Sequence, residues 1–314
     1  MIEAGSPPRV AILGARGIGQ VHARIFRELG ASVCAVLGTS QGTAEAACVE
    51  LEASMGIHAT PFFQLDRLLA EPLDAVSICT PPRLHFSHLR AVLDAGLPAF
   101  CEKPLFWEEG SSPSSVQAML DVVGTHPHRR VFVNTSNAAF VDSIRDRLPF
   151  PAEITRFRFR FYTQGPYRGA KIAVDLIPHA LSLLLALLGP RPLVDYTADW
   201  SETSYGARFT YGDCAVELEF QEGGAPNELA FAVNGREFRR VQEGRGQTYR
   251  VHLLDVEANE KVPVLDPFST YISRFLRGVH GETLLWESEW DDAAANLRLM
   301  AQALGAEPQN SIQG

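Results

Sequence analysis

The chain has 314 residues, 46% of them hydrophobic and 21% charged, and carries a formal net charge of -9. That length suits two domains, each large enough to bury a core of its own. An acidic chain with no Lys- or Arg-rich patch is a poor partner for nucleic acid, and its longest apolar run, Ala180 to Leu188, is too short to span a bilayer.

Met1 to Ser6 shows no basic, apolar and small-residue leader, so a cytoplasmic location is expected. Arg9 to Leu13 reads as a buried strand. Gly19 to Leu29 reads as a helix, with Val21, Ile25 and Leu29 at four-residue steps. Ser32 to Leu37 is the next strand, and Thr43 to Ser54 the next helix. Ala75 to Cys79 and Pro98 to Cys101 are short apolar strands around a helix, Leu84 to Ala95, that Gly96 stops. A helix from Ser114 to Val123 and a strand from Val131 to Asn134 close this region. Strand and helix in alternation predict a doubly wound parallel sheet over residues 1–135.

From 136 to 314 the pattern is that of an α+β domain with a large, mostly antiparallel sheet. Ile154 to Tyr162 alternates aromatic and basic residues, a strand with one buried face. Asp175 to Leu188 is an apolar helix ended by Gly189-Pro190. Four or five strands follow up to Leu254, with turn signals at Tyr211-Gly212-Asp213 and Asn234-Gly235. Two helices, Pro267 to Arg277 and Asp291 to Leu304, finish the chain.

Gly14-Ala15-Arg16-Gly17-Ile18-Gly19 stands between the first strand and the first helix. Glycines there let the backbone turn and approach a pyrophosphate, while the helix N-terminus offers unpaired N–H groups. Arg16 replaces the usual middle glycine, and a plain strand-to-helix turn is the competing reading. The second strand ends Gly38-Thr39-Ser40 with no acidic residue to hold a ribose 2′-hydroxyl. Thr39, Ser40 and Arg16 would accept a 2′-phosphate, so NADP is slightly favoured over NAD, although Thr39 and Ser40 also suit a simple turn.

Three further segments complete a set of ordered motifs: Thr80-Pro81-Pro82-Arg83-Leu84-His85, Cys101-Glu102-Lys103-Pro104 and Asp175-Leu176-Ile177-Pro178-His179. Together with the glycine loop they resemble the glucose–fructose oxidoreductase / inositol dehydrogenase / rhizopine-catabolism family. The resemblance implies an NAD(P)-dependent dehydrogenase or reductase acting on a sugar, inositol or related polyol. It also implies a homodimer or homotetramer formed through the open sheet. Carried over by residue, Lys103, Asp175 and His179 are the expected catalytic set. Gly14, Arg16, Gly17, Ile18, Gly19, Thr39, Ser40, Thr80, Pro81, His85, Glu102 and Lys103 are expected along the cofactor. The sequence departs from the family at Ser182, where an aspartate is usual, at Pro82, and at Asn134-Thr135-Ser136-Asn137, which lacks the family's arginine.

Asp175 and His179 are one helical turn apart, so both project from one face. A histidine there can move the substrate's hydroxyl proton while a hydride leaves or arrives. Asp175 also suits a helix N-cap, and His179 a satisfied core position. Tyr162, Gln164, Tyr167 and Arg168 precede that helix and are candidates for substrate contact, or for a solvated loop. His22 is assigned no catalytic role, and His126-Pro127-His128 reads as an exposed loop rather than a metal site. Cys34, Cys48, Cys79, Cys101 and Cys214 show no paired spacing and read as buried free thiols. A nucleotide-binding regulator without activity, and a reductase of an imine or tetrapyrrole-like substrate, are the alternatives.

Overall fold

A computed structural model describes residues 6–148, 154–224, 226–244, 250–282 and 285–305; Met1 to Gly5 of the N-terminal stretch lie outside them. The chain divides into two compact units that interleave along the sequence. The first draws on Met1–Gly110, Gln117–Asn134 and Phe268–Ala294, the second on Ser111–Val116, Thr135–Pro267 and Ala295–Gly314.

In the first unit, β1 (Arg9–Leu13), α1 (Ile18–Glu28), β2 (Ser32–Leu37) and α2 (Gln41–Met55) come first. Then follow β3 (Thr60–Phe62), α3 (Leu65–Leu69), β4 (Ala75–Ile78), α4 (Pro82–Asp94), β5 (Ala99–Cys101), α5 (Pro113–Gly124, of which Gln117 onward belongs to this unit) and β6 (Val131–Val133). The six strands are parallel, in the order β3-β2-β1-β4-β5-β6. This is the doubly wound arrangement, and strand order reverses between β1 and β4. The three residues of β3 and five of α3 are too short to show a period, which is why neither was anticipated.

In the second unit a short helix, α6 (Ala139–Ile144), precedes β7 (Arg156–Thr163) and α7 (Lys171–Leu188). Seven strands follow: β8 (Leu193–Trp200), β9 (Ser204–Tyr211), β10 (Cys214–Glu222), β11 (Glu228–Val233), β12 (Arg236–Glu243), β13 (Arg250–Asp255) and β14 (Glu260–Pro263). The eight-stranded sheet runs β14-β13-β12-β11-β7-β10-β9-β8; the β7–β10 pair is parallel and the other pairs are antiparallel. Strands β8 to β13 number six where four or five were expected. The Asn234-Gly235 turn has positive φ at both residues, as a tight hairpin requires.

Strand alternation splits this sheet into two unlike faces. Phe157, Phe159, Phe161, Phe209, Val216, Leu218, Phe220, Phe231 and Val233 are all buried. These apolar residues therefore form the covered face of the sheet. The opposite face carries Arg158 paired with Glu217, Arg160 with Glu228, and Arg239 with Glu237. Helix α7 is long and apolar enough to cross a membrane, which the run Ala180 to Leu188 alone did not suggest. Most of its residues are buried inside the fold, as in a core helix.

Helices α8 (Pro267–Val279) and α9 (Leu285–Gly305) end the described chain. Phe275 of α8 meets Phe26, Phe100, Phe132 and Trp286 edge-on or tilted, so sequence from beyond the second sheet completes the first unit's core. Burying such a ring is worth roughly 1.5–3 kcal/mol.

Candidate functional site

The glycine loop lies where β1 ends, at the reversal of strand order. Each glycine there does a different job. A Cβ on Gly19 would stand 2.0 Å from the Gly14 carbonyl oxygen, and one on Gly14 would stand 3.0 Å from the Cys79 carbonyl oxygen. These two allow β1, α1 and the end of β4 to close together. Gly17 has φ of 52° and ψ of -111°, and a Cβ there would meet nothing within 4 Å. Space is therefore open at the N-terminus of α1, which has no side-chain cap and no acidic residue in its first turn. An uncapped helix end behind an open glycine fits a pyrophosphate. Arg16 is exposed beside it.

At the end of β2, Ser40 caps α2: its Oγ accepts from the Thr43 N–H at 3.3 Å while Thr43 Oγ1 accepts from the Ser40 N–H at 2.9 Å. The Ser40 hydroxyl thus has a structural task, and Thr39 is exposed next to it.

The Thr80 and Lys103 turns are braced together by His85, which is fully buried. Its Nδ1 lies 2.9 Å from the Pro104 carbonyl oxygen and its Nε2 2.6 Å from that of Thr80. Burial holds its pKa below the ordinary histidine value against the pull of those carbonyls. Thr80 Oγ1 also lies 3.1 Å from His88 Nδ1.

Lys103 is half-buried just beyond β5, and the Lys103–Pro104 peptide is cis. Beneath it, Glu102 turns inward. Glu102 Oε1 accepts from His22 Nε2 at 2.8 Å and from Asn134 Nδ2 at 2.5 Å, while Oε2 accepts from the Lys103 N–H at 3.3 Å. Glu102 therefore anchors the lysine's backbone from below. Ser77 Oγ and Cys79 Sγ complete the cluster, 2.9 Å and 3.2 Å from His22 Nδ1. Sequence reading missed His22, Ser77 and Cys79. The signal was present: His22 stands three residues after Gly19 on α1, the spacing that aligns it with the glycine facing β4.

Burial alone would make the His22 ring neutral, but Cys79 and Glu102 outweigh it and raise its pKa from 6.5 to about 10. Burial would likewise raise Glu102, yet its bonds to His22 and Asn134 hold it below the ordinary carboxylate range. The folded state thus binds the His22 proton more tightly than the unfolded chain does. That stabilisation is complete below about pH 6.5 and is lost as the pH climbs toward 10. Melting temperatures across that window should fall, and should fall less in His22→Gln.

In the second unit, Asp175 and His179 share one face of α7, both half-buried. The helix begins at Lys171 behind Ala170, so Asp175 is not its N-cap. Pro178 lies between them inside the helix and cannot donate to the Val174 carbonyl. The Pro178 carbonyl instead accepts from Asn296 Nδ2 at 3.0 Å, and Ser182 Oγ donates to the His179 carbonyl at 2.8 Å. The His179 ring stands edge-on to Phe161, with centroids 5.2 Å apart.

That contact decides where Tyr162 goes. As the next residue on β7 it projects to the other face, where its hydroxyl donates to Glu219. Burial and that carboxylate push its pKa up to about 12. Tyr162 does not join the Asp175–His179 face. Tyr167 donates its N–H to buried Glu222 at 2.7 Å, and a Cβ on Gly165 would meet that carboxylate at 2.3 Å. Arg168 folds back on the Gly165 and Tyr167 carbonyls at 3.2 and 2.7 Å, and Gln164 is exposed.

Residues 8–135 match the family model described as an oxidoreductase family with an NAD-binding Rossmann fold, the Gfo/Idh/MocA group. That part of the chain is similar to this family. Inositol 2-dehydrogenase of Cereibacter sphaeroides is 30% identical over 185 residues, 57% of this chain and 54% of that enzyme. The match therefore spans about half the length of that relative. Among solved structures, UDP-N-acetylglucosamine 3-dehydrogenase of Acidithiobacillus ferrooxidans has the same fold, with a TM-score of 0.71 and 18% identity over 96% of this chain and 98% of that one. Myo-inositol 2-dehydrogenase of Lactobacillus plantarum matches with a TM-score of 0.67 and 18% identity over 96% and 97%. Both likenesses are of fold.

Among the described residues no group of three or more His, Cys, Asp or Glu side chains is arranged to hold a metal ion. His126 Nε2 pairs with Asp94 at 3.1 Å.

Proposed function

We propose that this chain is an NAD(P)-dependent dehydrogenase or reductase that acts on a sugar, inositol or related polyol. The observation that carries the reading is the open Gly17 position at the uncapped start of α1, at the reversal of strand order, in one unit with Lys103 at the carboxyl end of β5. The nicotinamide, when bound, supplies or accepts a hydride. Lys103 stabilises negative charge on the substrate oxygen, His179 moves the hydroxyl proton, and Asp175 orients that ring or the substrate. Gln164, Tyr167 and Arg168 lie in the loop before α7 and contact substrate hydroxyls. The reading is tested by nicotinamide fluorescence on binding and by absorbance of the reduced cofactor with a panel of polyols and their keto forms. Cofactor binding without turnover on any of them would favour a regulator or a different reductase.

For the cofactor we infer a preference for NADP(H). No acidic residue stands at the end of β2 or in the first turn of α2, and exposed Arg16 and Thr39 suit a 2′-phosphate. Titration should give NADPH at least the affinity of NADH; much tighter NADH binding would refute the preference.

For assembly we infer a homodimer or homotetramer through the charged face of the second sheet. Its Arg and Glu rows are balanced in sign, so pairing through it should weaken at high salt. Light scattering at low and high ionic strength checks this, and a monomer at micromolar concentration in low salt would count against it.

A further inference from the structure

We propose that Cys79 is an activated thiol on the floor of the dinucleotide loop, which hydroperoxides and soft electrophiles modify when the loop holds no nucleotide. The proposal rests on the reading of that loop as a nucleotide site.

Position is the first argument. Cys79 directly follows β4, and a Cβ on Gly19 would lie 3.5 Å from its own Cβ. Cys79 is half-buried, whereas Cys101 and Cys214 are buried. Gly19 lies in the first turn of α1, so the positive end of that helix is close to the sulfur.

Hydrogen bonding is the second. His22 is fully buried, and its Nε2 faces the Glu102 carboxylate at 2.8 Å. Its Nδ1 lies 2.9 Å from Ser77 Oγ and 3.2 Å from Cys79 Sγ, and Ser77 Oγ is itself 3.5 Å from Sγ. With the ring doubly protonated, Nε2–H is taken by Glu102 and Nδ1–H is shared between the hydroxyl and the sulfur. The Ser77 hydrogen can then point on to the sulfur, which receives two donors. Thiol, imidazole and carboxylate form one chain of contacts, the arrangement that activates cysteine nucleophiles. None of His22, Ser77 and Cys79 has a task in the proposed hydride chemistry.

The chemistry balances. The thiolate, whose proton His22 already holds, attacks the terminal oxygen of a hydroperoxide. An S–O bond forms as the O–O bond breaks. The departing alkoxide or hydroxide takes the proton from His22 and leaves as alcohol or water. Sulfur is oxidised by two electrons to a sulfenic acid, and the peroxide is reduced. The added oxygen stands against Gly14 and Gly19, so modification should block nucleotide binding.

The test is iodoacetamide labelling of the full chain, read cysteine by cysteine by mass spectrometry. Cys34 and Cys48 are internal references: both are half-buried, and burial pushes their thiols up. Cys79 should label at least about tenfold faster than either at neutral pH. Saturating NADPH or NADH should suppress Cys79 alone, and His22→Gln should slow Cys79 alone. Labelling of Cys79 no faster than of Cys34 and Cys48 overturns the proposal, as does an unchanged rate in folded His22→Gln. Should that variant fail to fold, the wild-type rate ratio decides. Nicotinamide fluorescence separates this proposal from the one beneath it. Nucleotide binding with slow Cys79 labelling removes the activated thiol and keeps the nucleotide site. Fast labelling with no nucleotide binding keeps the thiol and removes its nucleotide gating together with the nucleotide site.

Discussion

Lys103→Met should reduce turnover by a hundredfold or more, on the order of a lost electrostatic group in an active site, while dinucleotide affinity stays within a few-fold of wild type. The argument is positional. Lys103 stands at the carboxyl end of β5, whereas the pyrophosphate is expected at the Gly14–Gly19 turn after β1, on the far side of β4. The lost ammonium acts mainly when negative charge develops on the substrate oxygen, so it affects the transition state more than the ground state. Methionine keeps the aliphatic stem, and the backbone N–H that Glu102 accepts is unaffected. His179→Ala should cut turnover by roughly a hundredfold through lost acid–base work and should change the pH profile of kcat. Steady-state kinetics on an identified substrate, with fluorescence titration of NADPH, measure both variants. Near-normal turnover in both would refute the assigned mechanism and leave the fold intact.

Gly19→Val should abolish dinucleotide binding. The new Cβ would stand 2.0 Å from the Gly14 carbonyl oxygen, a backbone atom that no side-chain rotation can clear. Helix α1 must move away from β1, which carries off the N–H groups expected to hold the pyrophosphate. Gly17→Ala is the contrasting variant. Its Cβ meets nothing within 4 Å, so its penalty comes from φ of 52° with ψ of -111°, about 1–2 kcal/mol of backbone strain. Fluorescence titration of the two variants, with melting curves to confirm folding, separates collision from strain. Equal, mild losses in both would mean that the loop can shift freely and that its glycines do not shape the site.

Much of the architecture was legible from local chemistry. Short apolar runs alternating with helical patterns gave away the parallel sheet, because strands covered on both faces need no polar side. Phe157, Phe159 and Phe161 between arginines declared a one-sided strand, and the structure buries all three rings. Asn234-Gly235 marked a hairpin because both residues accept positive φ. The glycine loop and the Glu102-Lys103-Pro104 turn were readable because their backbone demands restrict residue type.

The tertiary structure decided the rest. Alternation told that β7 has two faces, but only the contact of Phe161 with His179 shows which face looks toward α7, and so sets Tyr162 against Glu219. The start of α7 at Lys171 removed Asp175 from the N-cap, since a polar loop merging into an apolar helix leaves no boundary in the pattern. His22 looked like an ordinary helical residue until Glu102, 80 positions away, closed on its ring. Likewise, Phe275 joined Phe26 and Phe100 although the whole second sheet separates them in sequence. Periodicity and turn chemistry act over a few residues and are written locally; pairings between distant buried groups depend on how the chain returns, which no local pattern contains.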